Sequence, residues 1–175
     1  MQYFTGKGDQ GKSSLADGRL ISKGDLAFEV IGSLDEAIAH LGMAISFCQD
    51  PEIIENLLSI QVHLSKLMGF MAGVKITDSE EGSFLTGALE WLEDEIKVYG
   101  DSIEYPKGFI FSGQSSTGAT IDIARTVIRR ADRQAARYFE NIKDHGNEVL
   151  AYLNRLSSFL FILRLFIDRK SNSHG

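Results

Sequence analysis

Three arginines in the second half of the chain have the spacing of an anion-binding site. Arg125, Arg129 and Arg133 lie at i, i+4 and i+8 within residues 119–139, ATIDIARTVIRRADRQAARYF. On a helix this spacing places the three guanidinium groups on one face. Guanidinium groups bind phosphate oxygens through paired hydrogen bonds, so the pattern is typical of a polyphosphate site. The alternative interpretation is a solvated face with local ion pairs.

A glycine-rich stretch at residues 5–25 is a second candidate for binding phosphate. It reads TGKGDQGKSSLADGRLISKGD, with five glycines and three lysines. This composition predicts a loop rather than a helix or a long strand. Glycines allow backbone N–H groups to crowd around phosphate oxygens, and the lysines add positive charge. A mobile tail would explain the glycines but not the lysines.

Residues 6–13 (GKGDQGKS) also fit the P-loop pattern G-x-x-x-x-G-K-[ST]. A P-loop requires a buried strand before it and a helix directly after it. Too few residues precede Gly6 to form that strand, and residues 15–18 (LADG) break a helix. A P-loop phosphotransferase is therefore disfavoured, although the phosphate-binding chemistry of the stretch remains.

Composition limits the class of protein. A length of 175 residues predicts one domain, and a net charge of −6 argues against a nucleic-acid surface. Cys48 is the only cysteine, which excludes an intrachain disulfide and a cysteine-based zinc site. The four histidines show no ligand spacing, so we expect no metal site built from protein side chains. Without a signal peptide or a charge-free run of membrane length, the sequence predicts a cytoplasmic protein that binds no membrane.

Hydrophobic periodicity predicts five helices that position these residues. They cover residues 26–48, about 51–71, about 82–99, 119–139 and about 147–169. Pro51 suits the first turn of the second helix, and residues 77–80 (TDSE) resemble a capping box before the third. We therefore predict a single all-α domain over residues 1–175, with a nucleotide-binding loop (1–25), a helical bundle (26–169) and a tail (170–175).

The last predicted helix is apolar on nearly every side, so we expect it at the centre of the fold or at a subunit interface. A polar cluster interrupts it, comprising Asn154, Arg155, Ser157 and Ser158. Buried polar groups are costly without partners, so this cluster should meet a ligand or another polar group. Phe109, in the connection before the arginine helix, has two open interpretations: it fills the core or it lines a ligand pocket.

Four segments, in this order and spacing, resemble the PduO-type ATP:cob(I)alamin adenosyltransferases. They are the loop TGKGDQGKSSL with Arg19 and Lys23, GSLDEA (32–37), FIFSGQ…IARTVIRRADR (109–133) and YLNRLSSFLF (152–161). The resemblance covers residues 3–168. It implies a five-helix bundle with ferritin-like up-down packing, assembled as a homotrimer with ATP between subunits. The implied reaction moves the 5′-deoxyadenosyl group of ATP to the cobalt of a reduced corrinoid and releases triphosphate.

The resemblance also implies roles for individual residues. The phosphate side, with Mg²⁺, would comprise Thr5, Gly6, Lys7, Gly8, Asp9, Ser13 and Lys23. Further ATP contacts would come from Arg125, Arg129, Asp132 and Asn154. Asp35 matches a carboxylate that pairs with Arg125 of a neighbouring subunit. Phe109 matches an aromatic residue that crowds the lower face of the corrin, so that cobalt loses its axial ligand.

The chain departs from the family pattern at four places. Asp132 replaces Glu, Ser158 replaces Asp, Ala37-Ile38 replaces Leu-Asn, and residues 112–114 (SGQ) replace a Pro-Gly-Gly turn. An active adenosyltransferase is the leading hypothesis, with cobalamin as the corrinoid substrate. The alternative is a nucleotide-binding regulatory or scaffold trimer that has lost corrinoid chemistry. For the enzyme, a reductase or an adenosylcobalamin-dependent enzyme is a candidate protein partner.

Overall fold

Five helices and one short hairpin form the part of the chain described by the structure, a computed structural model. It describes residue 6 and residues 8–74, 78–144 and 146–172, with the backbone alone at 78–83 and 172. The elements are β1 (Lys12–Ser14), β2 (Leu20–Ser22), α1 (Leu26–Phe47), α2 (Pro51–Met71), α3 (Asp78–Gly100), α4 (Ser116–Ile142) and α5 (Asn147–Asn172). The predicted all-α class and all five predicted helices are confirmed.

The helix ends follow from capping residues. Asp50 accepts hydrogen bonds from the backbone N–H groups of the first turn of α2, as Pro51 at its start predicts. Ser115 caps α4 by accepting from Gly118 N–H at 3.0 Å, so this helix begins three residues before its predicted start. α4 ends after Ile142 because Lys143 adopts a left-handed conformation, with φ of 57°. Helix α3 begins before its predicted start, and Thr77 of the predicted capping box lies outside the described residues.

The helices pack so that α1 and α5 lie on either side of α4. Helix α1 also contacts α2, and α5 also contacts α3. The α1–α4 pair is antiparallel, because Glu29 bonds Gln134 while Glu36, further along α1, bonds Arg130, further back on α4. One hydrophobic core with residues from all five helices fills the bundle. Helix α5 supplies many residues to this core, although α4 is the helix in the middle. A place for α5 at a subunit interface stays a prediction.

The predicted N-terminal loop contains a short antiparallel hairpin, in which Ser13 of β1 pairs with Ile21 of β2. Leu15, in its turn, is only 5% exposed. The backbone N–H of Ala16 donates to the carbonyl of Ala72 at 2.9 Å, just beyond α2. These contacts fix the hairpin against the bundle, which loop composition alone did not predict.

Helices α1 and α5 are long and apolar enough to cross a membrane when judged by length and composition only. In these two segments, 33% and 56% of the most apolar window is buried within the protein. A core helix of a soluble protein passes the same test, and both helices supply residues to the common core. Their apolarity is therefore weak evidence for a membrane span.

Candidate functional site

A cleft between α4, α5 and the connection that precedes α4 gathers several of the predicted site residues. Its volume is about 210 Å³, and its lining consists of Tyr105, Arg125, Arg129, Ser157, Ser158, Phe161 and Ile162. Two of the three stacked arginines therefore face the same space as part of the polar cluster of α5. This arrangement offers cationic and hydroxyl groups to one anionic ligand.

Arg125 is held at the edge of this cleft by two contacts. Its Nε donates to Asp122 Oδ1 at 2.8 Å, and both side chains are mostly buried. Its guanidinium carbon lies 5.9 Å from the centre of the Phe161 ring, within range of a cation–π contact. Because Nε already donates to Asp122, the two outer nitrogens of the guanidinium group are the ones that could bind a phosphate oxygen.

Arg129 and Asp132 lie on the next turn of α4. The Arg129 side chain is exposed, whereas Asp132 is partly buried. Burial raises the pKa of the Asp132 carboxyl, and the nearby positive charges of Arg129 and Arg133 offset part of that rise. Arg133 does not line the cleft, because its Nη1 donates back to the Arg129 carbonyl at 2.8 Å. The predicted stack of three arginines thus supplies two to the site.

In the polar cluster of α5, the two serines make hydrogen bonds within the helix and Arg155 forms an ion pair. The hydroxyls of Ser157 and Ser158 donate to the Asn154 carbonyl at 2.9 and 3.3 Å. Arg155 pairs with Glu93 of α3 at 3.0 Å. The Asn154 side chain is exposed. The prediction that these groups meet polar partners is confirmed for Arg155 and the two serines, while contact with a ligand stays a prediction.

A buried charged pair on α5 was not predicted from the sequence. Arg164 is 1% exposed, and its Nε lies 3.4 Å from Asp168 Oδ2 and 3.9 Å from Asp122 Oδ1. Asp168 also accepts from the hydroxyl of Ser115, the cap of α4, at 2.7 Å. Two charges four residues apart in an otherwise apolar helix were the available signal, because such charges are rarely buried unless paired.

The described part of the glycine-rich stretch brings its charged and backbone groups together. A Cβ atom added to Gly8 would lie 3.0 Å from Lys23 Nζ, so this ammonium group rests against the glycine backbone. Asp9 is exposed, and its N–H donates to the Gly6 carbonyl at 3.2 Å. Ser13 is partly buried on β1. Thr5 and Lys7, also predicted to contact phosphate, lie outside the described residues.

Within one protomer the glycine-rich stretch and the arginine cleft are far apart. Lys23 precedes α1, whose Glu29 accepts from Gln134 at 3.1 Å. Because α1 and α4 are antiparallel, Lys23 lies beyond the level of Gln134, away from Arg125. Gln134 follows Arg125 by nine residues, which amounts to about 14 Å along a helix at 1.5 Å per residue. One phosphate group therefore cannot contact both regions of the same protomer.

Asp35 is exposed on α1. Its neighbour Glu36 is the acid that reaches α4, through a hydrogen-bonded ion pair with Arg130. Ser33, one turn earlier, is buried and donates to Gln134 at 2.6 Å. The carboxylate of Asp35 is thus presented on the outside of the protomer, and its predicted pairing with Arg125 of another subunit stays a prediction.

Phe109 lies in the connection between α3 and α4 and is 86% exposed. Its ring meets that of Phe111, itself 79% exposed, edge to face at 5.1 Å. The interpretation that Phe109 fills the core is therefore wrong. The two exposed rings form an apolar surface, and its use in binding a corrinoid stays a prediction.

Known proteins with a similar sequence are corrinoid adenosyltransferases. The sequence model of the family described as cobalamin adenosyltransferase matches residues 3–167. A corrinoid adenosyltransferase of Bacillus subtilis is 30% identical, over 98% of this chain and 89% of its own length. One from Mycobacterium bovis is 32% identical, over 99% of this chain and 90% of its own.

A solved structure has the same fold. It is a variant of the PduO-type ATP:corrinoid adenosyltransferase from Lactobacillus reuteri, complexed with cobalamin and ATP. The TM-score is 0.84 at 25% identity, covering 96% of this chain and 91% of that one. The shared fold and the family match define a helical-bundle transferase. The chain belongs to the cobalamin adenosyltransferase family, as its sequence motifs predicted.

Proposed function

We propose that this protein transfers the 5′-deoxyadenosyl group of ATP to the cobalt of a reduced corrinoid, with cobalamin as the substrate, and releases triphosphate. The bond between C5′ and its oxygen breaks, and the electron pair of that bond leaves with the triphosphate. A cobalt–carbon bond forms with the two electrons supplied by cobalt(I). Membership of the family supports the reaction, and the pair of arginines in one cleft is the observation that carries it.

The protein's part in this reaction is to bind, orient and neutralise charge. Cobalt(I) is itself the nucleophile, so no side chain has to remove a proton. Arg125 and Arg129 would stabilise the negative charge that develops on the leaving triphosphate. The fixed position of Arg125 in the cleft would hold the phosphate chain so that C5′ faces the corrinoid. Asp132 and the exposed Asn154 would complete the contacts to the nucleotide.

The glycine-rich stretch is suited to hold the triphosphate together with Mg²⁺. Lys23 lies against the backbone of Gly8, so an ammonium group and glycine backbone are close together. Asp9 and Ser13 nearby offer oxygen ligands, which Mg²⁺ prefers alongside phosphate oxygens. Bound there, Mg²⁺ would supply further neutralisation of the phosphate charge. We include Thr5, Gly6 and Lys7 in this region.

We further propose that ATP lies between subunits of a homotrimer. The separation of about 14 Å along α4 between the level of Gln134 and Arg125 supports this, because both regions suit phosphate. A neighbouring subunit could bring its glycine-rich stretch to the cleft, and the exposed Asp35 could reach Arg125 across the same interface. We place the reaction in the cytoplasm, whose reducing conditions suit a cobalt(I) substrate.

Anaerobic incubation with MgATP and chemically reduced cobalamin tests the reaction. We expect the visible spectrum of cob(I)alamin to give way to that of adenosylcobalamin, with one triphosphate released per corrinoid consumed. Calorimetric titration with MgATP alone provides the second measurement. Tight ATP binding without any spectral change would contradict the proposed reaction and favour the nucleotide-binding regulatory trimer.

A further inference from the structure

Arg164 lies between the arginine cleft and the aromatic loop, which we define as residues 103–114. From inside the bundle, its Nη2 lies 3.4 Å from the carbonyl oxygen of Ile110, the residue that separates Phe109 from Phe111. The same guanidinium group lies 3.9 Å from Asp122 Oδ1, through Nε. One buried side chain therefore contacts both the loop that carries the exposed rings and the carboxylate that holds Arg125.

The Asp122 carboxylate is shared unequally between two arginines. Oδ1 accepts from Arg125 Nε at 2.8 Å but lies 3.9 Å from Arg164 Nε. The second distance is too long for a hydrogen bond. Arg164 Nε and Nη1 are buried and have no hydrogen-bond partner among the described residues. Arg164 would thus gain a hydrogen bond if Asp122 moved towards it.

We propose that Arg164 is a positioning residue that couples phosphate binding at Arg125 to the conformation of the aromatic loop. This inference rests on the proposed function, since the ligand of Arg125 there is a phosphate group of ATP. A phosphate that draws Arg125 away from Asp122 releases the carboxylate to bond Arg164. The charged carboxylate draws the guanidinium group towards α4, and because the Nη2 contact with the Ile110 carbonyl is already long at 3.4 Å, a small shift breaks it. The loop that carries Phe109 is then free to rearrange around the corrinoid.

We call the chain of contacts from Arg125 through Asp122 and Arg164 to the Ile110 carbonyl the relay. Asp168 and Ser115 lie on the other side of the Arg164 guanidinium group. Asp168 lies 3.4 Å from Arg164 and accepts from Ser115 at 2.7 Å. These contacts keep one carboxylate near Arg164 whether or not Asp122 approaches. The charge on Arg164 is therefore compensated in both arrangements, which makes movement of Asp122 less costly than breaking an isolated buried ion pair.

Trypsin cleavage after Lys107 reports on the loop in the unmodified chain. Lys107 is exposed and lies three residues before Ile110. When opening is fast relative to cleavage, the rate follows the population of the open loop. Cleavage after Lys143, beyond α4, serves as the internal reference. The test is a double-mutant cycle. It compares the cleavage rates of the unaltered protein, Arg125→Met, Arg164→Met and the double variant, all without nucleotide.

We expect Arg125→Met to raise the relative cleavage rate after Lys107 by about threefold or more, a coupling typical of residues in one charged network. The Arg164→Met variant should also cleave faster, and adding Arg125→Met to it should have no further effect. An unchanged rate in Arg125→Met would overturn the proposal. So would an Arg125→Met effect of the same size with and without Arg164.

Asp122→Asn gives a second route if Arg164→Met fails to fold. The neutral amide does not draw the Arg164 guanidinium group, so Arg125→Met should no longer speed cleavage in this background. A persistent effect would contradict the relay. Arg155→Met is the matched control, because it removes an arginine of the same helix that pairs with α3 instead. Faster cleavage after Lys107 in this control would show general loosening and overturn the proposal.

Adding MgATP connects the relay to the reaction. In the unaltered protein saturating MgATP should raise cleavage after Lys107, and in Asp122→Asn it should not, although calorimetry still detects binding. Equal responses in both proteins, or no response in either, would contradict the relay. If MgATP fails to bind the unaltered protein, the proposed function fails, while the nucleotide-free cycle still decides whether Arg164 couples the two regions.

Discussion

Asp122 and Phe161 hold different parts of the Arg125 side chain. The carboxylate fixes Nε at 2.8 Å, and the ring lies 5.9 Å from the guanidinium carbon. Together these contacts set the plane of the guanidinium group and leave its outer nitrogens for a ligand. A point charge on a flexible stem could not be oriented in this way.

We therefore expect Arg125→Lys to lower turnover by about a hundredfold, comparable to losing one donor that stabilises transition-state charge. Lysine keeps the positive charge but has no planar fork that binds phosphate oxygens through paired hydrogen bonds. Anaerobic turnover measures the loss, and circular dichroism should show an unchanged helical fold. Arg137→Lys, at an exposed position of the same helix, is the matched control. Near-normal turnover in Arg125→Lys would show that Arg125 is only structural.

The exposure of Phe109 makes its substitution informative. A side chain that is 86% exposed contributes little to packing, so Phe109→Ala should leave the free energy of unfolding within about 0.5 kcal/mol of the original value. If the ring excludes the axial ligand from cobalt, the variant should lose the four-coordinate cobalt(II) signal in electron paramagnetic resonance. Turnover from cobalt(II) with a weak reductant should then fall, with ATP affinity nearly unchanged.

Phe111→Ala is the natural control, because this ring is also exposed and contacts the first. It should keep most of the four-coordinate signal. An intact signal in Phe109→Ala, with ATP and corrinoid bound, would show that the ring has no role in removing the axial ligand.

Side chains on a regular helix were easier to predict than those that depend on packing. The i, i+4 spacing of Arg125 and Arg129 was enough to place both in one cleft. Arg133 has the same spacing, yet its side chain turns back to the helix backbone. Arg164 was missed because its partners come from α4 and the aromatic loop, and no periodicity along α5 shows them.

At the scale of elements, the hairpin of the N-terminal region is joined to the bundle mainly at its turn. Lys12 and Lys23, at the other end, are exposed. Ordering flexible backbone costs roughly 1–2 kcal/mol per residue, which phosphate contacts could offset. We therefore predict that MgATP slows tryptic cleavage near residues 6–20. Digestion with and without saturating MgATP tests this, with cleavage after Lys143 as reference, and an unchanged rate would count against phosphate binding there.

The contact between α2 and α5 includes a histidine that should make stability depend on pH. His63 Nδ1 lies 3.2 Å from the Tyr152 hydroxyl, and its ring packs edge to face on Phe84, Trp91 and Tyr152. Burial, with a smaller effect from the charge of Lys66, lowers the pKa of His63. The unfolded chain therefore binds a proton at this position at higher pH than the folded protein does.

It follows that His63 lowers stability as pH falls below its unfolded pKa of about 6.5. We expect the denaturation midpoint of the unaltered protein to drop between pH 7.5 and pH 5.5 by more than that of His63→Gln. Urea titrations at both pH values measure the difference. His40→Gln, on α1, is the control and should keep the full pH dependence. Identical pH dependence in His63→Gln would show that other groups are responsible.

Helix positions could be predicted from the sequence because each apolar stripe repeats over several turns. The ends were less certain, since Ser115 as the cap of α4 follows a loop with no apolar pattern. The hairpin was missed for a related reason: its strands have three residues each, too few for an alternating pattern to emerge.

At the scale of the whole molecule, the two phosphate-binding regions are complementary but separated. The arginine cleft faces α5 and the aromatic loop, while the glycine-rich stretch lies beyond the opposite end of the α1–α4 pair. Sequence spacing could not reveal this separation, because both regions looked equally suited to one phosphate chain. The antiparallel packing of α1 on α4, with Glu29 bonded to Gln134 and Glu36 bonded to Arg130, fixes their relative levels.

We therefore predict that the protein is a homotrimer whose ATP sites each combine two subunits. Light scattering at micromolar concentration should give three times the chain mass, and a monomeric mass would contradict the prediction.

Mixing subunits tests the shared site directly. Arg125→Met removes the arginine of the cleft, and Lys23→Met removes the lysine of the glycine-rich stretch, so each variant alone should lose activity. If one site draws on two subunits, trimers formed after mixing and reassembly should regain part of the activity, because some interfaces then contain both intact regions. Absence of any recovery, with mixed trimers shown by native mass spectrometry, would mean that each ATP site lies within one chain.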